Sequence, residues 1–271
     1  MKRVLITNDD GVAAPGIRVL AMAAADLGYE VVVAAPATEA SGTSAAMSAY
    51  TTDGRVVIEE RDLDAAGVTA YGVGASPSYI VVLAMLKAFG EPPNLVLSGI
   101  NRGANAGRAV LHSGTVGAAL TAVAYDRPAM AVSLDVLSPV TATSGGNAIT
   151  VIDETDDEKR NWNTAAAYAR DLIPAMHDLP AGTALNLNVP DTPADQVHGL
   201  RTARLAKFGQ VQMAVAETGE DFVRTTVEQS RAEAGEGTDL ALLTAGYATL
   251  TAIRPISEVA DIELTRGWTR G

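Results

Sequence analysis

The chain has 271 residues, 48% of them hydrophobic, no cysteine, and a formal net charge of −12 from 20 basic and 32 acidic residues. That length can bury a substantial core as one domain with an appendage or as two small domains, while the missing cysteines exclude disulfides and thiolate zinc sites. The acidic balance disfavours nonspecific binding to nucleic-acid polymers or anionic membranes.

Arg3 to Thr7 (RVLIT) reads as a buried parallel strand and runs straight into Asn8-Asp9-Asp10-Gly11. A helical pattern extends from Ala13 through Leu27, Gly28 serves as its C-cap, and Glu30 to Ala35 forms a second strand that ends at Pro36. This is a βαβ opening. Further strand-like runs are Arg55 to Glu59, Val68 to Val73, Leu95 to Ser98, Ala129 to Leu134 and Ala184 to Val189. Helical patterns cover Pro77 to Phe89, Thr115 to Tyr125 and Trp162 to His177. The alternation predicts an α/β fold, a mostly parallel sheet with helices on both faces. From Gly199 onward the pattern turns polar and β-branched, and Gln210 to Ala216 with Phe222 to Gln229 read as antiparallel hairpin strands. The chain enters its first strand without a signal peptide, and no run of about 20 apolar residues suggests a membrane span. A cytoplasmic location is the expectation.

Two adjacent carboxylates at the carboxyl end of a strand suggest a hard-metal site. Mg²⁺ and Mn²⁺ take oxygen ligands, commonly one or two carboxylates with water and substrate phosphate completing the shell. In open α/β sheets ligands sit outside the carboxyl ends of the strands. Asn8, Asp9 and Asp10 also read as a turn that caps the following helix, and taken alone the segment leaves both readings open. Ser113-Gly114-Thr115, just ahead of a helical run, likewise reads as an ordinary N-cap or as a phosphate cradle at a helix N-terminus.

Several blocks then fall in one order: Thr7-Asn8-Asp9-Asp10-Gly11 with Ala14-Pro15-Gly16, Ser41-Gly42, Ser98-Gly99-Ile100-Asn101 with Asn105 and Gly107, and Ser113-Gly114-Thr115-Val116. In these the chain resembles the survival protein E (SurE) family of metal-dependent 5'/3'-nucleotidases and phosphomonoesterases. Fainter echoes continue in Leu187-Asn188-Val189-Pro190, Thr238-Asp239, and Gly246-Tyr247 with Thr251 before Pro255. The resemblance implies a Rossmann-like three-layer catalytic domain over residues 1–190 and a C-terminal β-hairpin oligomerisation arm within 191–271, giving a homodimer or homotetramer. It implies one divalent metal per subunit, Mg or Mn, on Asp9, Asp10, Ser41 and Asn101, with Asp9 or Asp10 also taking a proton from water. Asn8, Gly42, Asn105, Ser113, Gly114 and Thr115 would bind phosphate or substrate. His112 stands where the family usually has an aromatic residue, and reads as a pocket wall or as a general acid.

Against the family pattern, residues 136–160 look like an insertion. Its acidic, Gly- and Ser-containing composition predicts a solvated loop, with a substrate-covering lid as the functional alternative. Other departures are Tyr79 in place of an acid, Thr121-Ala122 in place of a Glu-Gly pair, Arg108 in a usually acidic stretch, and Ala40 before Ser41. None removes a metal ligand, so they bear on substrate rather than reaction. The expected substrate is a small phosphomonoester, a nucleoside 5'- or 3'-monophosphate, with a specialised sugar-like metabolite phosphate as the alternative. A glycosyltransferase would need a second full domain, for which too little alternating sequence follows residue 190. A catalytically silent nucleotide-binding homologue is disfavoured by the intact ligand set. A dinucleotide oxidoreductase is disfavoured because Gly72-Val73-Gly74-Ala75-Ser76-Pro77 lacks the third glycine. An aspartyl-phosphate phosphatase would want Asp-x-Asp after the first strand.

Overall fold

The computed structural model describes residues 2–40, 42–65, 67–136, 154–208, 211–219, 221–229 and 234–258. In chain order the elements are β1 (Arg3–Thr7), α1 (Pro15–Asp26), β2 (Glu30–Pro36), β3 (Thr51–Thr52), β4 (Arg55–Val56), β5 (Ile58–Arg61), β6 (Thr69–Val73) and α2 (Pro77–Met85). There follow β7 (Leu95–Arg102), α3 (Gly114–Ala124), β8 (Ala129–Asp135), α4 (Trp162–Leu172) and β9 (Ala184–Pro190). The last group is β10 (Leu200–Thr202), β11 (Val211–Thr218), β12 (Val223–Gln229), α5 (Asp239–Thr244) and β13 (Ala248–Ile253). The main sheet has nine strands in the order β10-β13-β9-β8-β7-β1-β2-β6-β5. From β9 to β6 every pairing is parallel, and β13 and β5 join antiparallel on either side.

The central strands β1, β2 and the first half of β7 are nearly continuous apolar runs because both faces of the sheet are covered there. Alternate residues serve opposite cores. Val4, Ile6, Val31, Val33, Leu95 and Leu97 pack under α1 and α4 with Ile17, Leu20, Ala165 and Ala169. Leu5, Val32, Val96 and Ala131 pack under α2 and α3 with Ile80, Ala84, Val116 and Ala119. The result is the expected three-layer α/β fold.

Chain order makes β1 the switch point. From β1 the chain crosses to β2 on one side, and after β6 it returns to β7 on the other, so the crevice opens between the carboxyl ends of β1 and β7. The end of β7 is reshaped by a bulge: pairing with β8 shifts register between Ser98 and Asn101, after which Asn101 pairs with Ser133. Gly99 makes this possible, because its φ is +136° and a Cβ there would lie 2.2 Å from the Val132 carbonyl oxygen.

Several boundaries differ from the sequence expectation for identifiable reasons. β7 runs on to Arg102 rather than stopping at Ser98, the bulge letting it resume pairing. The helix from Trp162 ends at Leu172, and a 3-10 turn takes over from Ile173, where Pro174 cannot donate a helical hydrogen bond. α2 stops at Met85 as the chain turns through Lys87 at φ +67°. The sheet also continues past residue 190, since β13 pairs with β9 and β10 with β13. Of the C-terminal region, only β11 and β12 form a separate antiparallel hairpin, with one register irregularity between Val215 and Glu217.

The bulge supports a direct prediction. Gly99→Ala should destabilise the protein by at least about 2 kcal/mol, through the forbidden φ and the clash with Val132. Urea unfolding that shows an unchanged midpoint would contradict this account of β7.

Candidate active site

The loop after β1 performs two tasks with neighbouring residues. Asn8 is fully buried, its amide donates to the Gly11 carbonyl at 2.9 Å, and its carbonyl oxygen accepts from the Gly11 N–H at 3.1 Å. Asn8 therefore closes the turn. The loop does not cap α1: the N-cap is Ala14, with no side-chain hydrogen bond and no acidic residue in the first turn. Asp9 and Asp10 are left to do something else.

Asp9 is buried beneath the start of α3. The Thr115 hydroxyl donates to its Oδ1, and the main-chain N–H groups of Thr115 and Gly114 also bear on the carboxylate. The fit is close enough that a Cβ on Gly114 would sit 2.8 Å from Asp9 Oδ2 and 2.9 Å from Thr43 Oγ1. One turn on, a Cβ on Gly117 would sit 2.4 Å from the Ser44 carbonyl oxygen. The two glycines of Ser113-Gly114-Thr115-Val116-Gly117 thus let α3 press its N-terminus against the Asp9 carboxylate and the loop after residue 41. Ser113 is the N-cap, its Oγ accepting from the Val116 N–H at 3.1 Å. The hydroxyl hydrogen of Ser113 is not used by that bond.

Asp10 accepts from the Arg102 main-chain N–H at 3.2 Å through Oδ2. Asn101, one residue earlier, donates from Nδ2 to the Gly103 carbonyl at 2.7 Å, which fixes its amide and turns Oδ1 toward Thr115 Oγ1, 3.3 Å away. Two carboxylates and one oriented amide oxygen therefore converge at the switch point. Burial raises the Asp9 carboxyl above its ordinary value of 3.8, opposed by the donors from Thr115 and Gly114. Burial and then the neighbouring Asp9 charge push Asp10 up to about 7, against the N–H and charge of Arg102.

A hard divalent cation fits this donor set. Two adjacent carboxylates, Asp9 buried and Asp10 half-buried, repel each other and resist ionisation, a crowding of negative charge that a cation relieves, and Asn101 Oδ1 adds a neutral oxygen. Among the described residues no three His, Asp or Glu side chains gather into a metal cluster, here or elsewhere, so the donor set rests on two carboxylates and neutral oxygens. Ser41, expected as the fourth ligand, lies outside the described residues. Its neighbours do reach the site: the Ala40 N–H donates to the Asp9 carbonyl at 2.7 Å, and Ser44 Oγ donates to the Leu111 carbonyl at 2.6 Å. Gly42 is exposed at φ +76° beside them.

Asn105 arches back over the sheet. Its Nδ2 donates to Ser133 Oγ at 3.1 Å, across from Asn101 in the β7–β8 register, which leaves a second amide hydrogen. Its main chain is clamped from β9: Asn188 Oδ1 accepts its N–H at 2.8 Å, and Asn186 and Asn188 donate to its carbonyl at 2.7 and 3.1 Å. Asp239, fully buried at the start of α5, accepts from the Gly107 and Ala206 N–H groups at 2.7 and 2.9 Å. Of these three positioning residues, Asn188 and Asp239 appear in sequence only as faint family echoes without a role, and Asn186 does not stand out. Its signal is an asparagine two positions before Asn188 in an otherwise apolar strand.

His112 ends an exposed 3-10 turn, Gly107–His112, at the rim rather than in the buried centre. Arg108 is exposed on the same turn. Tyr79 lies half-buried in the core beneath α2 and α3, a packing position. The acidic run at the end of the insertion, expected as solvated loop, is docked in part: Asp157 is buried and paired with Arg102 and Arg160. Residues 137–153 of the insertion lie outside the described residues.

The Asp10 shift has a signed consequence. A carboxyl that binds its proton more tightly folded than unfolded favours folding below about pH 4, and that contribution is lost as pH rises toward about 7. In chelator-treated protein, Asp10→Asn should therefore gain thermal stability relative to the unaltered chain as pH is raised from 4 to 7. A stability difference that stays flat, or shrinks, across that range would contradict the burial account.

The family model for Survival protein SurE matches residues 4–212. A protein of Aeromonas hydrophila named 5'-nucleotidase SurE is 34% identical over 254 residues, covering 92% of this chain and 90% of its own. One of the same name from Legionella pneumophila is 35% identical over 254 residues, covering 92% and 89%. The crystal structure of the Sure protein from Aquifex aeolicus superposes with a TM-score of 0.67 at 26% identity, covering 93% of both chains. With its fold and its conserved order of site blocks, the chain belongs to the SurE family.

Proposed function

We propose that the chain is a divalent-cation-dependent phosphoric monoester hydrolase of the 5'-nucleotidase type. The observation that carries this reading is the mutually repelling pair at the sheet's switch point, buried Asp9 beside half-buried Asp10, with Asn101 Oδ1 turned to the same Thr115 hydroxyl that donates to Asp9. The relatives named 5'-nucleotidase SurE support the substrate class.

In this reading Asp9, Asp10 and Asn101 hold the cation, with Ser41 as the fourth protein ligand. A bound Mg²⁺ or Mn²⁺ supplies neutralisation of the phosphoryl oxygens and a more acidic attacking water. The chain itself does the positioning. The Ser113 hydroxyl hydrogen and the second Asn105 amide hydrogen are directed donors for equatorial phosphate oxygens. Gly42 lets the loop backbone approach the phosphate. The N-terminus of α3 acts mainly through Asp9, since Thr115 and Gly114 spend their donors on that carboxylate and oppose the upward push of burial. Asp10 takes the proton of the attacking water, and the displacement needs no covalent intermediate. His112 and Arg108, exposed ahead of α3, are read as contacts for the rest of the ester, and their departure from the family pattern favours a specialised sugar-like phosphate as the second reading.

Phosphate release from a panel of 5'- and 3'-nucleotides and sugar phosphates tests both. Chelation should abolish turnover and Mg²⁺ or Mn²⁺ restore it, while Asp9→Asn and Asp10→Asn should each lower kcat/KM by at least about a hundredfold. Full turnover in the presence of chelator, or in either variant, would overturn the reading.

We also propose a homodimer or homotetramer joined through the β11–β12 hairpin. Val215, Phe222 and Val223 are 65, 54 and 58% exposed on it, an apolar surface that a subunit contact would cover. Light scattering should give a dimeric or tetrameric mass, and deletion of Val211–Gln229 a monomer. A monomeric mass for the intact chain at micromolar concentration would rule the assembly out.

A further inference from the structure

Arg102 follows Asn101 directly, and its main-chain N–H is the donor that holds Asp10 Oδ2 at 3.2 Å. Its guanidinium is largely buried, with 11% of the side chain exposed, and stands near enough to Asp10 for its charge to act on that carboxyl. A buried arginine beside two carboxylates has an obvious competing arrangement, a bidentate pair with the carboxylates themselves. That arrangement would occupy the oxygens that a cation needs.

The structure shows a different pairing. Arg102 Nε donates to Asp157 Oδ1 at 3.0 Å and Nη2 donates to Oδ2, a fork onto one carboxylate. Asp157 is in turn held firmly. Arg160 Nε donates to its Oδ1 at 3.1 Å, and the Trp162 indole donates to its carbonyl at 2.8 Å. Arg160 reaches on to Asp191 Oδ2 at 3.2 Å, while the Asn161 N–H and Nδ2 donate to Asp191 Oδ1 at 2.8 and 3.0 Å. Charges therefore alternate along the chain Asp10, Arg102, Asp157, Arg160, Asp191. In such a row, removing one member takes away part of what holds its neighbours, and a buried charge so loosened is drawn toward the nearest opposite one.

We propose that Asp157 is a positioning residue that holds the Arg102 guanidinium off the Asp9 and Asp10 carboxylates, leaving their oxygens free for a divalent cation. The inference rests on the cation reading of the site given above. It assigns the turn after the insertion a part in cation affinity although Asp157 touches neither cation nor substrate. Arg102 is helpful while Asp157 holds it, and inhibitory once released.

Mn²⁺ binding to the whole protein without substrate, read from the electron paramagnetic resonance of free Mn²⁺, tests this. Asp157→Asn should weaken binding by about tenfold or more, as loss of an outer-shell partner does. Adding Arg102→Met should restore it to within about threefold of the unaltered protein, because the competing cation is gone while the main-chain N–H to Asp10 remains. If Asp157→Asn alone fails to fold, Arg102→Met and the Arg102→Met, Asp157→Asn pair carry the comparison, and the two should bind Mn²⁺ alike. An unaltered protein that does not bind Mn²⁺ would overturn the cation reading and this inference together. Normal binding by the unaltered protein, with Asp157→Asn unchanged or the double variant no better than the single one, would overturn the inference alone.

Discussion

The contact between the N-terminus of α3 and the Asp9 carboxylate is the constraint around which the site is built. A buried carboxylate resists ionisation unless donors face it, and here the donors are the Thr115 hydroxyl and the first N–H groups of a helix. That contact dictates sequence on both sides. Residue 114 has to be glycine because a Cβ would fall on Asp9, and residue 117 has to be glycine because a Cβ would fall on Ser44. Asn8 has to close its turn with Gly11 so that Asp9 emerges from β1 toward α3.

A second layer of polar contacts holds the opposite wall. The β7 bulge at Gly99 re-aims Asn101, Gly103 fixes its amide, and the Asn105 arch above it is tied down by Asn186, Asn188 and Ser133. Asp239 ties the continuation of that arch to residue 206. Each of these hydrogen bonds is buried or partly buried, and its loss would leave a partner less well satisfied, at a cost of up to about 1–3 kcal/mol apiece. The C-terminal strands β10 and β13 matter for the same reason: β13 completes the edge of β9, the strand that carries the two asparagines.

Much of this was legible in the sequence because it depends on short-range chemistry. Uninterrupted apolar runs such as RVLIT and EVVVAA announce strands covered on both faces, and the Asp pair after the first run announces a polar site at its carboxyl end. Both expectations for that loop turned out to describe different residues, with Asn8 making the turn and Asp9 and Asp10 supplying carboxylates. The Ser113-Gly114-Thr115 block reads in sequence as an N-cap or a phosphate cradle, and Ser113 is indeed the N-cap. That Gly114 also allows close packing and that Thr115 donates to Asp9 needs the distance between α3 and β1. Pairings remote in sequence were the hardest to see. Asp157 lies in an acidic run that reads as solvated until Arg102, 55 residues earlier, is brought alongside it.

The central claim is that the Asp9–Asp10 pair is built to be completed by a cation. Anomalous diffraction from a crystal of the protein soaked in Mn²⁺ measures this most directly. The account predicts one anomalous peak per subunit, ligated by Asp9, Asp10 and the Asn101 amide oxygen. A map with no peak there, or with Mn²⁺ bound only at other carboxylates, would contradict it.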